Sequence, residues 1–160
     1  HIGVLATPGT VASERYVIEL LKQDPTLIVT QQACPIWVPL IESGEHLGDG
    51  ADYFVEKYLT ELLTRDPLID TIILGCTHYP LLQPKIEAFL SENSYHISVV
   101  SQGSIVADSF ADYLHRHPEF SQDSKGGTCK YLTTESANKF SESASLFLSE
   151  AIEAQHIELQ

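Results

Sequence analysis

Within the segment Gly75-Cys76-Thr77-His78-Tyr79-Pro80, a thiol, a hydroxyl and an imidazole occupy three successive positions. A cysteine thiol can serve as nucleophile or as acid/base, and an adjacent imidazole can orient it or exchange protons with it or with a substrate. A helix is predicted to follow directly, and helix N-termini favour anions, thiolates and carboxylate ligands among them. Plainer readings stand beside this one: Cys76 as a small buried hydrophobe at a strand end, and His78 as a structural or surface histidine. A zinc site fits poorly, because Cys-x-His lacks the usual ligand spacing and no second pair completes it, so no metal is expected.

The elements that position these residues can be read along the chain. Asp70-Thr71-Ile72-Ile73-Leu74 is the strongest strand signal, a continuous apolar run suited to the middle of a parallel sheet, and the Cys76 loop lies at its carboxyl end. Ile2 to Ala6 reads as a buried strand, followed by the turn Thr7-Pro8-Gly9-Thr10 with Thr10 as helix cap, and a helix over about Val11 to Lys22 stopped by Asp24-Pro25. Leu27 to Thr30 is β-rich. Gln32-Ala33-Cys34-Pro35 is then a strand-end loop leading through Trp37 to Leu40 into Ile41-Glu42-Ser43-Gly44.

Ala51 to Leu63 predicts a helix, as do Leu81 to Leu90 and Ile105 to Leu114, with a strand at Ile97 to Val100 between the last two. Arg116 to Gly127 is a polar loop, Cys129 to Leu132 a short strand with Cys129 buried in it, and a weak helical tail closes the chain. Strands alternating with helices predict an α/β fold with a mainly parallel sheet flanked by helices. Ligands of such sheets bind beyond the carboxyl ends of the strands, which directs attention to the loops after Ala6, Gln32 and Leu74.

Composition narrows the function class. Hydrophobic residues at 43% and charged residues at 19% are ordinary for a globular protein. A net charge of −13, with nine Lys and Arg in no cluster, argues against a nucleic-acid partner. No run approaches the roughly 18 apolar residues of a membrane span, and the start lacks the features of a secretory leader. Three widely spaced cysteines in a chain that reads as cytoplasmic do not suggest a disulfide framework. The chain opens directly into a strand-like run and contains no Met, so it reads as a segment of something longer.

Leu74-Gly75-Cys76-Thr77-His78-Tyr79-Pro80-Leu81-Leu82 resembles the second catalytic cysteine motif of glutamate racemases, within the aspartate/glutamate racemase superfamily. Gly3 to Val11 and Ala33 to Gly44 agree with two further segments of that family, in family order. The resemblance covers about residues 2 to 114 and thins from Arg116 onward. It implies a cofactor-independent enzyme that interconverts L- and D-glutamate with two cysteines on opposite faces of the substrate, supplies D-glutamate for peptidoglycan, and works as a homodimer at full length. Cys76 would take or return the α-proton on one face, from L-glutamate. Thr77 and His78 would contact the substrate, with His78 also assisting Cys76. Glu42 matches a family acidic residue near this thiol that supports the proton transfers, and its alternative is a solvated carboxylate at a helix end.

The departures are as informative. The family's Asp-Ser pair, Tyr-Gly pair and first cysteine in Ala-Cys-Asn-Thr are absent, and Cys34, followed by Pro35, reads as structural rather than as a substitute. Family architecture has two α/β domains with the active site between them. On that pattern residues 1 to 97 are most of the second domain, and residues 98 to 160 are the returning part of the first, whose N-terminal half is absent. An aspartate racemase or related superfamily member, or a non-catalytic carboxylate-binding module, remains the alternative.

Overall fold

The computed structural model describes residues 1–120 and 128–159. Two compact units are distinguished, His1–Phe110 and Ala111–Gln160. In the first, β1 (Ile2–Ala6), β2 (Val29–Ala33), β3 (Thr71–Leu74) and β4 (Ser98–Val100) form one sheet in the order β2-β1-β3-β4, and every pairing is parallel. The expected α/β class with a parallel sheet flanked by helices is therefore the observed one.

The sheet is buried because its central strands are apolar on both faces. Val4, Leu5 and Ala6 of β1 are fully buried, as is Ile72 of β3, with Leu74 almost so. Helix α4 (Asp49–Arg65) contributes Ala51, Val55, Tyr58, Leu59, Leu62 and Leu63 to the core at three- and four-residue spacing. Gly3 permits this approach: a Cβ there would lie 2.9 Å from Leu62 Cδ2 and 3.2 Å from Ile69 Cδ1.

Several expected elements differ in extent. The single helix over Val11 to Lys22 is two, α1 (Pro8–Ala12) and α2 (Arg15–Gln23), separated at Ser13-Glu14 where Glu14 has a left-handed φ of 52°. The cap is Thr7 rather than Thr10; the Thr7 hydroxyl accepts from the Thr10 amide at 3.4 Å, and Pro8 is tolerated in the first turn. The strand expected at Leu27 to Thr30 lies at β2, displaced toward the carboxyl side, because its register with β1 runs from Ile2 opposite Val29 to Ala6 opposite Ala33. The stretch through Trp37 to Leu40 into Ile41-Glu42, to which the sequence reading assigns no element, is a helix, α3 (Trp37–Glu42). Pro39 does not break it, since the amides of a first helical turn have no intrahelical partner.

The helix expected at Leu81 begins as a 3-10 turn over Tyr79–Leu82 and continues as α5 (Gln83–Glu92). Helix α6 spans Gln102–Arg116. In the second unit, a 3-10 turn (Pro118–Phe120) precedes β5 (Tyr131–Thr133), α7 (Ala137–Leu148) and β6 (Ala154–His156), with β5 and β6 paired in parallel. Most of the predicted polar loop, residues 121–127, lies outside the described residues. Cys129 corrects the sequence reading: it is exposed, because the strand begins two residues later at Tyr131.

Candidate active site

The sheet order creates the site. The chain leaves β1 to pair β2 on one side of it, then returns to place β3 on the other, and in parallel sheets it is at the carboxyl ends, where the connections diverge, that ligands bind. Backbone bonds lace these ends together: the Gly75 amide donates to Leu5 O at 2.8 Å and the Cys34 amide to Ala6 O at 2.8 Å. The loops after the first three strands are thereby brought to one edge.

Gly75 fills a position with no room for a side chain. A Cβ would lie 3.1 Å from each of Leu5 O, Ala6 Cβ and Tyr16 Cε2. Because one of these neighbours is strand backbone, Gly75→Ala is expected to destabilise the fold by about 1–3 kcal/mol. Urea denaturation checks this, and an unchanged midpoint would contradict the packing account.

Beyond Gly75 the chain closes a turn in which the Tyr79 amide donates to Cys76 O at 3.2 Å. This turn presents Cys76 and His78 side by side, with Cys76 Sγ 3.8 Å from His78 Nδ1. The other ring nitrogen, Nε2, lies 3.2 Å from Oε1 of Glu42, the last residue of α3. If Nε2 carries the proton and donates it to the carboxylate, Nδ1 is left as an acceptor toward the thiol. The arrangement is a continuous thiol–imidazole–carboxylate chain able to hold and pass a proton. Its thiol is partly buried, while Glu42 is 62% exposed and His78 only 25%. Thr77 is exposed on the same turn. The four candidate residues thus occur at one strand end, although Glu42 is contributed from 34 positions before Cys76.

The other cysteines have different surroundings. Cys34 is fully buried, its thiol donating to Gln32 O at 3.7 Å, and burial pushes its pKa far above the usual thiol range. This matches its reading as structural. Cys34 is expected to resist iodoacetamide in the folded protein and to react only after unfolding, as peptide mapping would show; rapid native-state labelling would contradict its burial. Among the described residues, no group of three or more His, Cys, Asp or Glu could hold a metal ion, and no helix is long and apolar enough to cross a membrane.

Tyr79 is the residue that sequence reasoning passed over. It is fully buried, donates its phenol proton to Cys34 O at 3.2 Å, and meets Trp37 edge-on with ring centroids 4.8 Å apart. A tyrosine between a histidine and a proline at a strand end was the available signal.

No family model matches the chain. Among curated proteins, it is 38% identical over 148 residues to the glutamate racemase of Shouchella clausii, covering 92% of this chain and 51% of that protein. Among solved structures, a glutamate racemase isoform from Bacillus anthracis superposes with a TM-score of 0.85 at 31% identity, covering 99% of this chain and 57% of that one. The Francisella tularensis glutamate racemase, solved in complex with D-glutamate, gives a TM-score of 0.83 at 26% identity over the same shares. The chain spans about half the length of the curated relatives it matches. By sequence and by structure, the chain is similar to about half the length of the glutamate racemases it matches.

Proposed function

We propose that the chain is the second-cysteine portion of a glutamate racemase, and that the whole protein interconverts L- and D-glutamate. The observation that carries this reading is the Cys76–His78–Glu42 chain at the carboxyl end of β3, in a segment homologous to glutamate racemases. The α-proton of an amino acid is far less acidic than any side chain, so racemisation needs a base on one face of the substrate and an acid on the other. Cys76 supplies one of these and removes the proton from L-glutamate. His78 exchanges protons with the thiol and contacts the substrate together with Thr77, and Glu42 orients the imidazole. The opposite thiol comes from the preceding part of the whole protein, where an Ala-Cys-Asn-Thr motif is expected.

No pyridoxal phosphate, nucleotide or metal takes part. Residues 1 to 97 form most of the second domain of the whole protein and 98 to 160 the returning part of the first. The protein is a cytoplasmic homodimer, and its D-glutamate goes to peptidoglycan. The bound D-glutamate of the Francisella tularensis enzyme supports glutamate as the substrate. Turnover of glutamate and aspartate by the whole protein, followed by polarimetry without added cofactor, tests the assignment. Racemisation confined to glutamate is the expected result, and a preference for aspartate would overturn it.

A further inference from the structure

Resting on that reading, we propose that Tyr79 is a positioning residue for proton transfer: its phenol ties the Cys76–His78 turn to the helix that carries Glu42. The turn and α3 belong to different strand-end loops, and the two are linked at both ends of the helix. At one end, Tyr79 donates to Cys34 O at 3.2 Å, and the same carbonyl accepts from the Trp37 amide at 3.3 Å, the first residue of α3. At the other end, Glu42 reaches His78 Nε2 at 3.2 Å. Six helical residues span only about 9 Å, so a tilt at the Trp37 end passes directly to the carboxylate.

The two links are unequal. The His78–Glu42 pair is solvated on the carboxylate side, and exposed pairs of this kind hold geometry weakly. The Tyr79 link is fully buried, seated edge-on against Trp37 at an interplanar angle of 80°, and Trp37 in turn meets Tyr58 of α4 at 5.8 Å. Burial also raises the Tyr79 pKa, so the phenol remains a donor wherever the enzyme would work. Tyr79 further closes the catalytic turn through its own amide, which donates to Cys76 O. One residue therefore sets the turn internally and fixes it against the Glu42 helix.

The test uses the whole protein with Tyr79→Phe, Glu42→Gln and both together. Tyr79→Phe keeps the ring against Trp37, and Cys34 O keeps the Trp37 amide, so the fold is expected to persist, as checked by circular dichroism. Loss of alignment is expected to lower kcat by roughly tenfold to a hundredfold with little change in KM. Because both changes act through the same imidazole, the double variant should be scarcely worse than Glu42→Gln alone. NMR spectra of the His78 ring should show Tyr79→Phe and Glu42→Gln displacing the same ring resonances. Trp37→Phe, which disturbs the seat of Tyr79 without touching its hydroxyl, provides a second variant with the same expected signs at smaller size. Wild-type kcat and unchanged His78 ring resonances in both the Tyr79 and Trp37 variants, or fully multiplicative effects in the double variant, would overturn the proposal. An inactive wild-type protein would instead remove the racemase reading, and the His78 ring spectra would still decide the tie.

Discussion

Replacing Cys76 by serine in the whole protein is expected to abolish interconversion of the glutamate enantiomers, with a loss of ~10²- to 10⁴-fold or more. The geometry makes the substitution nearly isosteric, and the serine hydroxyl would still face His78 Nδ1, so misfolding does not account for the loss. What changes is acidity. A thiol ionises near pH 8.5, within reach of a neighbouring imidazole, whereas an alcohol yields no useful fraction of its anion near neutral pH. One partial reaction is expected to survive. Elimination from a glutamate analogue with a leaving group on the β-carbon needs a single base, so the enantiomer that presents its α-proton to the remaining thiol still reacts. With Cys76 assigned to L-glutamate, the serine variant should retain elimination from the D-analogue and lose it from the L-analogue. The opposite selectivity would reverse the assignment of faces.

The second large effect concerns the segment alone. The 160-residue chain is expected not to racemise glutamate under conditions where the whole protein does. Among the described residues, Cys76 is the cysteine placed in a thiol–imidazole–carboxylate chain. Cys34 is sealed in the core with its pKa driven upward by burial, so it cannot act as the opposing acid. Cys129 is exposed in the other compact unit, and the side chain described as its hydrogen-bond partner is the Tyr131 phenol rather than an imidazole. A single base can remove an α-proton, but without an acid on the far face the proton returns to the side it left. Chiral chromatography of each enantiomer after incubation with the segment checks this, and product comparable to that of the whole protein would contradict it.

What the sequence made legible follows from how local each feature is. The Cys76 loop could be read because its reactive residues are contiguous and follow a continuous apolar run, which is β3. The α/β class was equally plain from the alternation of apolar strand runs with helical stripes. Glu42 is different: its link to His78 crosses 36 residues and exists only once β2 and β3 are placed on either side of β1, so only the family resemblance pointed to it. Helix α3 is only six residues long and carries Pro39 in its first turn, where proline is accommodated, so no helical stripe announces it. The break between α1 and α2 depends on Glu14 in a left-handed conformation, which no glycine announced. Strand β6, Ala154-Gln155-His156, has no apolar run and is defined by its pairing with β5. The exposure of Cys129 ran against the tendency of free cysteines to be buried. Tyr79 is the most instructive case, because its role depends on a buried bond to a backbone carbonyl, invisible without coordinates.

The central claim is that Cys76 is one member of a two-thiol acid/base pair whose other member lies outside this chain. Exchange of the glutamate α-proton for solvent deuterium tests it most directly, since every productive turnover delivers a solvent-derived proton to the α-carbon. The segment, the whole protein and its Cys76→Ser variant would be incubated with glutamate in deuterated water, without added cofactor or metal, while the α-proton signal is followed by NMR together with optical rotation. The account predicts joint loss of the α-proton signal and of optical rotation for the whole protein, and no racemisation by the segment or by the serine variant. Robust racemisation by either of those two samples would contradict it.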